Sequence, residues 1–384
     1  MITIIDTNKE LEKNIKIIEN EDYIAIDTEF IREKTYFSKL CLIQIASKNH
    51  SFIIDPLSKE IDLESFWKFL TKEKVVKIVH SGRQDMEIFF QQFGQLPKSV
   101  YDTQIAAMVC GFGDQVSYEQ LVNRLLNVKI DKSSRVSNWS FRPLSEKQIQ
   151  YALSDVTYLV KVYEILKDKI SLYKRELWIK EEMESLSEIK NYEINTGEAW
   201  KKLKIKSTKR IYLNRVKYLA DWREKVSINR NVPRNKVIRD DTLLEIASLK
   251  PENREDFKRL RVFSLERDKR IINEIIETLK EAAMVPEHLF PEINYMKKNK
   301  VKSLAVLELL KVLVKFVSED QKVAQKLIIK QYELELIAEG NFENLKSFEG
   351  WRNEIFGKLA KDLLGGKIAF GIKNKKIHII NSKN

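Results

Sequence analysis

The chain has 384 residues, of which 32% are charged, and its formal net charge is +12. This length exceeds one ordinary hydrophobic core and predicts two or three domains. No apolar run approaches the roughly 18–20 residues of a membrane span, and the charged N-terminal stretch lacks the pattern of a secretory signal. The two cysteines, Cys41 and Cys110, have no CxxC spacing, which argues against a disulfide or zinc framework. We therefore expect a cytoplasmic protein without a membrane partner.

Charge is distributed unevenly along the chain. Residues 1–200 carry 27 basic and 31 acidic side chains, a net charge of −4, whereas residues 201–384 carry +16. The stretch 201–250 alone carries +10. Such a basic half is typical of a surface that holds nucleic acid. The alternative is a solvated, lysine-rich surface, and charge alone does not decide between the two.

Strand-like and helix-like patterns alternate in the first 170 residues. We predict strands at 2–6, 23–30, 40–47, 51–55 and 75–81, with helices at 7–20, 83–93 and 145–170. The strands at 40–47 and 51–55 form a hairpin in this prediction. Adjacent strands early and helix-separated strands later predict an α/β domain with a mixed sheet flanked by helices.

Strand signals nearly vanish after about residue 178. Residues 192–210 are a polar, basic connector, and residues 211–285 have the pattern of four or five amphipathic helices. Residues 297–384 are helical again, except for a terminal hairpin predicted in "KIAFGIKNKKIHII". The second half is therefore predicted to be mainly α-helical.

Two carboxylates stand at the end of a buried strand in "AIDTEF". Asp27 and Glu29 are separated by Thr28, and alternation along a strand places them on the same face. Like charges this close raise each other's pKa or require a cation. Because ligands of α/β sheets bind at the carboxyl ends of strands, the pair is a candidate site.

A third acid, Asp85, follows the predicted strand at 75–81 in "HSGRQDMEIF". It falls in the first turn of the predicted helix, where an acid also stabilises the helix dipole. A structural role and a role in the site both fit this position.

A fourth acid, Asp155, lies on the long helix in "YALSDVTYLV", and Tyr151 lies one helical turn before it on the same face. A tyrosine–aspartate pair that only stabilises the helix is the alternative. Taken together, converging carboxylates cannot all remain ionised without a cation, and all-oxygen ligation selects Mg²⁺ or Mn²⁺. Two such divalent cations would support phosphodiester hydrolysis, with Tyr151 directing the water. His80 lies beside the site and suits packing or orientation better than metal ligation.

These three motifs, "DTEF", "HSGRQDMEIF" and "YALSDVTYL", resemble the exonuclease motifs of the DEDD superfamily, in its branch with Tyr-x-x-x-Asp. The stretches "FIREKTYFSKLCLIQIA" and "NWSFRPLSEKQIQYALSDV" are similar to those of the ribonuclease D family. The segment "YLADWREKVSINRNVPRNKVIRDDTLLEIA" resembles that family's first HRDC domain, a small helical nucleic-acid-binding module. About 295–375 resembles a second, divergent copy.

The resemblance implies a ribonuclease H-like exonuclease domain with a mixed sheet, followed by two small all-α HRDC-type domains. We expect the exonuclease domain at 1–205, the first HRDC domain at 206–290 and the second at 291–384. It implies catalysis by Tyr151 and four acids. Asp27, Glu29 and Asp155 would hold one divalent cation, and Asp27 and Asp85 would hold the second, Asp85 through water.

The activity implied is removal of nucleotides from RNA 3′ ends, with release of nucleoside 5′-monophosphates. The substrates implied are RNAs with a free 3′ end, such as tRNA precursors and small structured RNAs, and the chain length permits a monomer. Arg83, Gln84 and His80 are candidate substrate contacts, and Phe30 either stacks on the terminal base or packs in the core.

Two rival functions remain open at this level. A 3′–5′ DNA exonuclease of proofreading type would use the same four acids, although the basic helical half argues against it. A non-catalytic binding protein that retains the fold is disfavoured because the acids and Tyr151 are intact. The absence of a GxxxxGK[ST] loop disfavours a helicase.

Overall fold

The computed structural model describes residues 3–131, 133–259, 269–292 and 303–382. The chain divides into two compact units. The first, here the exonuclease unit, comprises residues 1–29, 40–191 and 298–384. The second, here the helical unit, comprises residues 30–39 and 192–297. Each unit has its own hydrophobic core, and the site described below is built in the exonuclease unit.

One mixed sheet organises the N-terminal half. Within the described residues it has six strands, β1 (Thr3–Ile5), β2 (Tyr23–Ile31), β3 (Lys39–Ala46), β4 (Ser51–Ile54), β5 (Val76–Val79) and β6 (Val100–Asp102). Their order is β1-β4-β3-β2-β5-β6. β3 and β4 pair antiparallel, as the predicted hairpin requires, whereas β1–β4, β2–β5 and β5–β6 are parallel. Parallel pairing brings the carboxyl ends of β2 and β5 to the same edge of the sheet.

Helices flank this sheet. They are α1 (Asn8–Ile18), α2 (Glu64–Leu70), α3 (Arg83–Phe93), α4 (Thr103–Val109), α5 (Tyr118–Leu126), α6 (Glu146–Leu172) and α7 (Glu176–Leu186). α3 ends at Gly94, which has the left-handed φ of +75° typical of a glycine C-cap. α6 begins with a capping box between Ser145 and Gln148. The predicted α/β architecture is confirmed.

The helical unit is built on four helices in the described residues, α8 (Arg210–Asn229), α9 (Arg234–Val237), α10 (Asp240–Leu249) and α11 (Lys269–Met284). The connector that precedes α8 is more than a polar linker. It forms a 3₁₀ turn at Thr196–Lys202, and Trp200, Leu203 and Ile205 are buried against α8 and α11. Alternation along this segment leaves Lys204 and Lys206 exposed.

The C-terminal part of the exonuclease unit is helical and ends in a hairpin. It contains α12 (Leu304–Gln321), α13 (Gln325–Ile328), α14 (Gln331–Ala338), α15 (Gly350–Arg352) and α16 (Lys358–Leu364), followed by β7 (Ile368–Lys373) and β8 (Lys376–Asn381). β7 and β8 pair antiparallel, as predicted. Trp351 stacks on Trp178 of α7, with ring centroids 4.3 Å apart and an interplanar angle of 12°. The buried Arg175 donates to the carbonyls of Val109 and Lys322, which ties the end of α12 to α4.

The predicted division into domains 1–205, 206–290 and 291–384 stays a prediction. Residues 260–268 and 293–302, which fall in the two predicted HRDC-type domains, lie outside the described residues. None of the helices in the described ranges is both long enough and apolar enough to cross a bilayer.

Candidate active site

The acid pair of "AIDTEF" stands at the carboxyl end of β2. Ala25, Asp27 and Glu29 alternate with Ile26 and Thr28, so they point to one face of the sheet. Ala25 is fully buried on that face in a cluster with Val156, Leu159 and other residues of α6. Packing of α6 on the sheet therefore sets what Asp27 and Glu29 face.

α6 brings Asp155 to the pair. Val156 belongs to the same buried cluster as Ala25 of β2, so the preceding residue, Asp155, is held near the end of that strand. One carboxylate oxygen from each of Asp27, Glu29 and Asp155 lies within 4.8 Å of the others. We call these three side chains the acidic cluster.

Asp85 is placed by the tight turn from β5 into α3. A Cβ on Gly82 would lie 2.4 Å from Val79 Cγ2, so only glycine lets the chain approach the strand this closely. Asp102, at the end of β6, holds the turn by accepting the N–H groups of Ser81 at 3.0 Å and Gly82 at 2.9 Å. Asp85 is thereby fixed in the first turn of α3.

The Asp85 carboxylate lies beside the acidic cluster but is not one of its three members. Its Oδ1 accepts a hydrogen bond from the Thr28 hydroxyl, on the face of β2 opposite to Asp27. Burial and the nearby charge of Asp27 hold the pKa of Asp85 well above its usual range. We expected all four acids to share one site; the group of carboxylate oxygens within 4.8 Å of one another joins Asp27, Glu29 and Asp155, and the part of Asp85 as a ligand through water stays a prediction.

The electrostatics of the cluster favour a bound cation. Burial, followed by repulsion from Asp155, raises the pKa of Asp27 to about 8. Burial and the three neighbouring acids raise the pKa of Glu29 to about 9, and burial raises the pKa of Asp155 to about 7. Carboxylates whose ionised forms are this disfavoured gain strongly from a divalent cation.

Tyr151 lies on the same face of α6 as Asp155, as predicted, and its hydroxyl donates to the Asp155 carboxylate. Burial and the charges of Asp155, Glu29 and Asp27 raise its pKa, so the phenol keeps its proton. The Trp139 ring lies against it, with centroids 6.1 Å apart. Tyr151 therefore faces the acidic cluster as a hydrogen-bond donor.

The predicted substrate contacts differ in their surroundings. The two ring nitrogens of His80 lie 2.9 Å from Thr103 Oγ1 and 3.2 Å from the Val116 carbonyl, and burial lowers its pKa. This arrangement suits orientation of the neighbouring loop. Arg83 and Gln84 are exposed at the start of α3, and Phe30 is half-buried in β2.

Other residues near the cluster carry no motif in the sequence. Arg135 lies close enough to lower the pKa of both Glu29 and Asp155, whereas Glu119 raises that of Asp155. Arg135 stands in a polar loop without periodicity, so no pattern could have singled it out. Glu119 also lines a cavity of about 750 Å³ together with Asn123, Arg124 and Lys129, among others.

Comparison with known proteins agrees with this geometry. Residues 2–171 match the family model for 3′-5′ exonuclease, and residues 213–279 match that for the HRDC domain. The fold and the acidic cluster thus define a 3′–5′ exonuclease, a class that depends on divalent metal.

Full-length relatives narrow the class. The chain is 42% identical over 380 residues to ribonuclease D of Bartonella henselae, covering 98% of this chain and 94% of that protein. It is 39% identical to ribonuclease D of a Jannaschia species, covering 98% of both chains. The crystal structure of Escherichia coli RNase D matches with a TM-score of 0.81 at 26% identity, covering 95% of this chain and 99% of that one.

The chain therefore belongs to the ribonuclease D family, and its activity is that of a 3′–5′ exoribonuclease. The prediction of an exoribonuclease with a first HRDC-type segment is confirmed, whereas the second, divergent copy stays a prediction. The alternative of a DNA proofreading exonuclease is not favoured by these relatives.

Proposed function

We propose that this exoribonuclease hydrolyses the terminal phosphodiester with two divalent cations held by the acidic cluster and Asp85. The observation that carries the proposal is the convergence of the cluster carboxylates from β2 and α6 within 4.8 Å, in a half-buried setting that disfavours their ionised forms. The nearby positive charge of Arg135 lowers the pKa of Glu29, yet the pKa stays at about 9. A metal would complete this neutralisation.

The donor set fits a hard divalent ion. The three side chains of the cluster offer carboxylate oxygens, which suit Mg²⁺ or Mn²⁺ and do not suit the softer metals that prefer sulfur. Asp27, Glu29 and Asp155 would hold one ion, and Asp27 with Asp85 would hold the other. When bound, such ions supply Lewis-acid stabilisation of the phosphate and a more acidic water.

Side chains of the protein would orient the attacking water and hold the metal ligands in place. Tyr151 orients the attacking water through its hydroxyl, which in the described structure already donates toward the cluster at Asp155. Thr28 holds Asp85 in place by donating to its Oδ1. Nucleoside 5′-monophosphates would leave one at a time from the RNA 3′ end.

The substrates we propose are tRNA precursors and other small structured RNAs with a free 3′ end. Support comes from the E. coli relative, which is described as an exoribonuclease involved in structured RNA processing. Phe30, His80, Arg83 and Gln84 are proposed to contact or orient the RNA end, His80 through the loop that it holds. We further propose a cytoplasmic monomer.

Basic residues of the helical unit would hold the body of the RNA. Some of them already have acidic partners, such as Lys225, whose ammonium lies 2.7 Å from Asp221. Lys204 and Lys206 are better candidates, because both are exposed on a segment whose alternate residues are anchored in the core. Each phosphate that they neutralise adds to the salt dependence of binding.

The decisive experiment follows the RNA end. A tRNA precursor with a short 3′ extension, labelled at its 5′ end in one sample and its 3′ end in another, is incubated with the purified protein and Mg²⁺ or Mn²⁺. We expect a ladder shortening from the 3′ end, release of labelled mononucleotide, and complete loss of both with EDTA. Asp155→Asn serves as the inactive control.

Two outcomes would overturn the proposal. Cleavage that continues in EDTA would remove the metal mechanism, and equal rates on DNA of the same sequence would remove the preference for RNA. If only an unstructured RNA is shortened, the exonuclease remains and the structured substrate class fails.

A further inference from the structure

Arg142, in the loop before α6, uses every donor that it has. Its Nε and one Nη2 hydrogen donate to the two carboxylate oxygens of Asp55, at 2.6 and 2.7 Å. Its other three N–H groups donate to the carbonyls of Cys41 at 2.7 Å and of Trp139 and Phe141, each at 2.8 Å. A guanidinium has five N–H donors, so this one is fully engaged.

Asp55 gives the arginine a rigid support. It follows β4 directly, its backbone N–H donates to the Ile5 carbonyl at 2.9 Å, and its Oδ1 also accepts the Leu57 N–H at 2.9 Å. Asp55 is 8% exposed, so water competes little for its carboxylate. The bidentate pair, in a geometry that only arginine provides, therefore ties the loop before α6 to the sheet.

The loop that is tied down carries Trp139. Asn138 shapes the turn, since its side-chain oxygen accepts the Ser140 N–H at 3.1 Å and its carbonyl accepts the Phe141 N–H at 3.2 Å. Trp139 is 2% exposed, and its ring is tilted by 31° against that of Tyr151. The indole thus closes one side of the phenol ring whose other end points into the acidic cluster.

We infer that Arg142 and Asp55 form a clamp that positions Tyr151 for catalysis by holding Trp139 behind it. Arg142 fixes the turn by binding the Trp139 carbonyl, and the indole then restricts the phenol ring. The clamp acts through Tyr151, so its members are positioning residues and touch neither RNA nor metal. The inference rests on the role proposed above for Tyr151.

The kinetic test is a double-mutant cycle in which kcat and KM are measured from steady-state release of the 3′ nucleotide from RNA. Arg142→Lys removes the bidentate geometry and keeps the charge, so we expect kcat to fall by about 10- to 100-fold with KM changed less than about twofold. In a Tyr151→Phe background, Arg142→Lys should lower kcat by less than about threefold, because the hydroxyl that the clamp positions is absent. Trp139→Phe, which keeps a ring, should retain most of kcat, and Trp139→Ala should lose it as Arg142→Lys does.

A matched control is Arg175→Lys. Arg175 is also an arginine that binds backbone carbonyls, and it is more buried than Arg142. Its partners are Val109 at the end of α4 and Gln321 and Lys322 at the end of α12. We expect Arg175→Lys and Arg142→Lys to lower the thermal midpoint alike. Arg175→Lys should keep kcat within about twofold of the wild-type value. Equal losses of kcat in the two variants would mean that general destabilisation, and not positioning, explains the effect.

A second readout does not depend on activity. Fluorotyrosine labelling gives a ¹⁹F signal for Tyr151, assigned by its absence in Tyr151→Phe. We expect this signal to shift or broaden in Arg142→Lys and to stay unchanged in Arg175→Lys. An unchanged Tyr151 signal, or losses that add in the cycle, would overturn the clamp, whereas a wild-type protein that releases no nucleotide would overturn the proposed function instead.

Discussion

The acidic cluster holds half-buried carboxylates and α8 holds a buried one, yet their protonation equilibria shift in opposite directions. At the cluster, burial and repulsion raise the pKa of Glu29 to about 9. In the helical unit, burial alone raises the pKa of Glu224, but hydrogen bonds from Arg234 and Tyr36 outweigh it and lower the pKa. Glu224 is 1% exposed and accepts Arg234 Nη2 at 2.5 Å, so its charge is neutralised within the fold.

The opposite pKa shifts distinguish two kinds of site. Glu224 belongs to a structural ion pair, whereas the acidic cluster has, among the residues that the structure describes, too little positive charge nearby to balance its carboxylates. Glu224, Arg234 and Tyr36 satisfy one another, and the Arg234 guanidinium also lies 5.5 Å from the centre of the Tyr36 ring. The acidic cluster carries an electrostatic cost in the protein alone, which a cation relieves. A carboxylate is therefore a candidate functional group when its pKa stays raised after the nearby basic groups are considered.

The largest expected effect comes from neutralising one cluster acid. Asp155→Asn removes a metal ligand, and a lost metal withdraws several kcal/mol of transition-state stabilisation, so kcat/KM should fall by roughly 1000-fold or more. The same change removes repulsion, so the thermal midpoint of the metal-free protein should rise. Nucleotide release and calorimetry in EDTA measure the two effects. A lowered midpoint together with lost RNA binding would mean that Asp155 is structural.

Neutralising the acid of the Glu224–Arg234 ion pair should lower stability, whereas neutralising Asp155 should raise it. Glu224→Gln leaves Arg234 without its charged partner, and the free energy of unfolding should fall by about 2–3 kcal/mol. This loss is smaller than the roughly 3–5 kcal/mol typical of a fully buried pair, because the Arg234 side chain is 37% exposed. Urea unfolding measures this loss of stability, and Glu281→Gln, at an exposed position, serves as the control. A loss below about 0.5 kcal/mol would remove the contrast between the two regions.

A pH series sharpens the comparison. Cluster acids with raised pKa hold protons in the folded state that the unfolded chain releases, so their contribution favours folding at low pH and is lost as pH rises from about 4 through about 7–9. One such proton changes the free energy of unfolding by up to about 1.4 kcal/mol per pH unit. We expect metal-free wild type to lose stability over this range more steeply than Asp155→Asn. Saturating Mg²⁺ should flatten the slope, and a slope that ignores Mg²⁺ would contradict metal binding at the cluster.

The smallest effect concerns the basic residues outside both carboxylate groups. Lys204→Gln with Lys206→Gln should lower the magnitude of the slope of log K against log salt by about 0.7 for each phosphate of single-stranded RNA that is no longer neutralised. Filter binding between about 50 and 300 mM salt measures this slope. Lys13→Gln with Lys16→Gln, on the exposed face of α1, is the matched control and should leave it unchanged. Equal slopes in all three proteins would exclude these lysines from the RNA surface.

Substitution is a cleaner test of the basic half than truncation. Removing everything after residue 210 would also delete α12 and Trp351, which pack within the exonuclease unit. The truncated protein would then lose part of the core that supports the site.

Short-range patterns predicted the scaffold of the site. Alternation in "AIDTEF" placed Asp27 and Glu29 on one face, and helical spacing placed Tyr151 with Asp155. The helix predicted at 83–93 matches α3, which ends at Gly94. Each of these features depends on neighbours within four residues, which a single sequence displays directly.

Long-range pairs were beyond such patterns. Asp55 and Arg142 are 87 positions apart, and Tyr36 and Glu224 are 188 apart, so no periodicity links them. Trp200 lies in a segment where exposed lysines alternate with buried residues. The composition of this segment is therefore polar, and it hides the buried positions. Arg135 acts on the cluster by charge alone, a property of distance in space that the order of residues does not express.

The stacked indoles of Trp178 and Trp351 offer an optical reporter. Two indoles 4.3 Å apart and within 12° of parallel are close enough for their electronic transitions to couple, and we expect this coupling to produce paired positive and negative bands in circular dichroism. Replacing either ring with phenylalanine should abolish that couplet. Its amplitude during unfolding would then follow separation of the C-terminal helices from α7, independently of RNA, metal and catalysis.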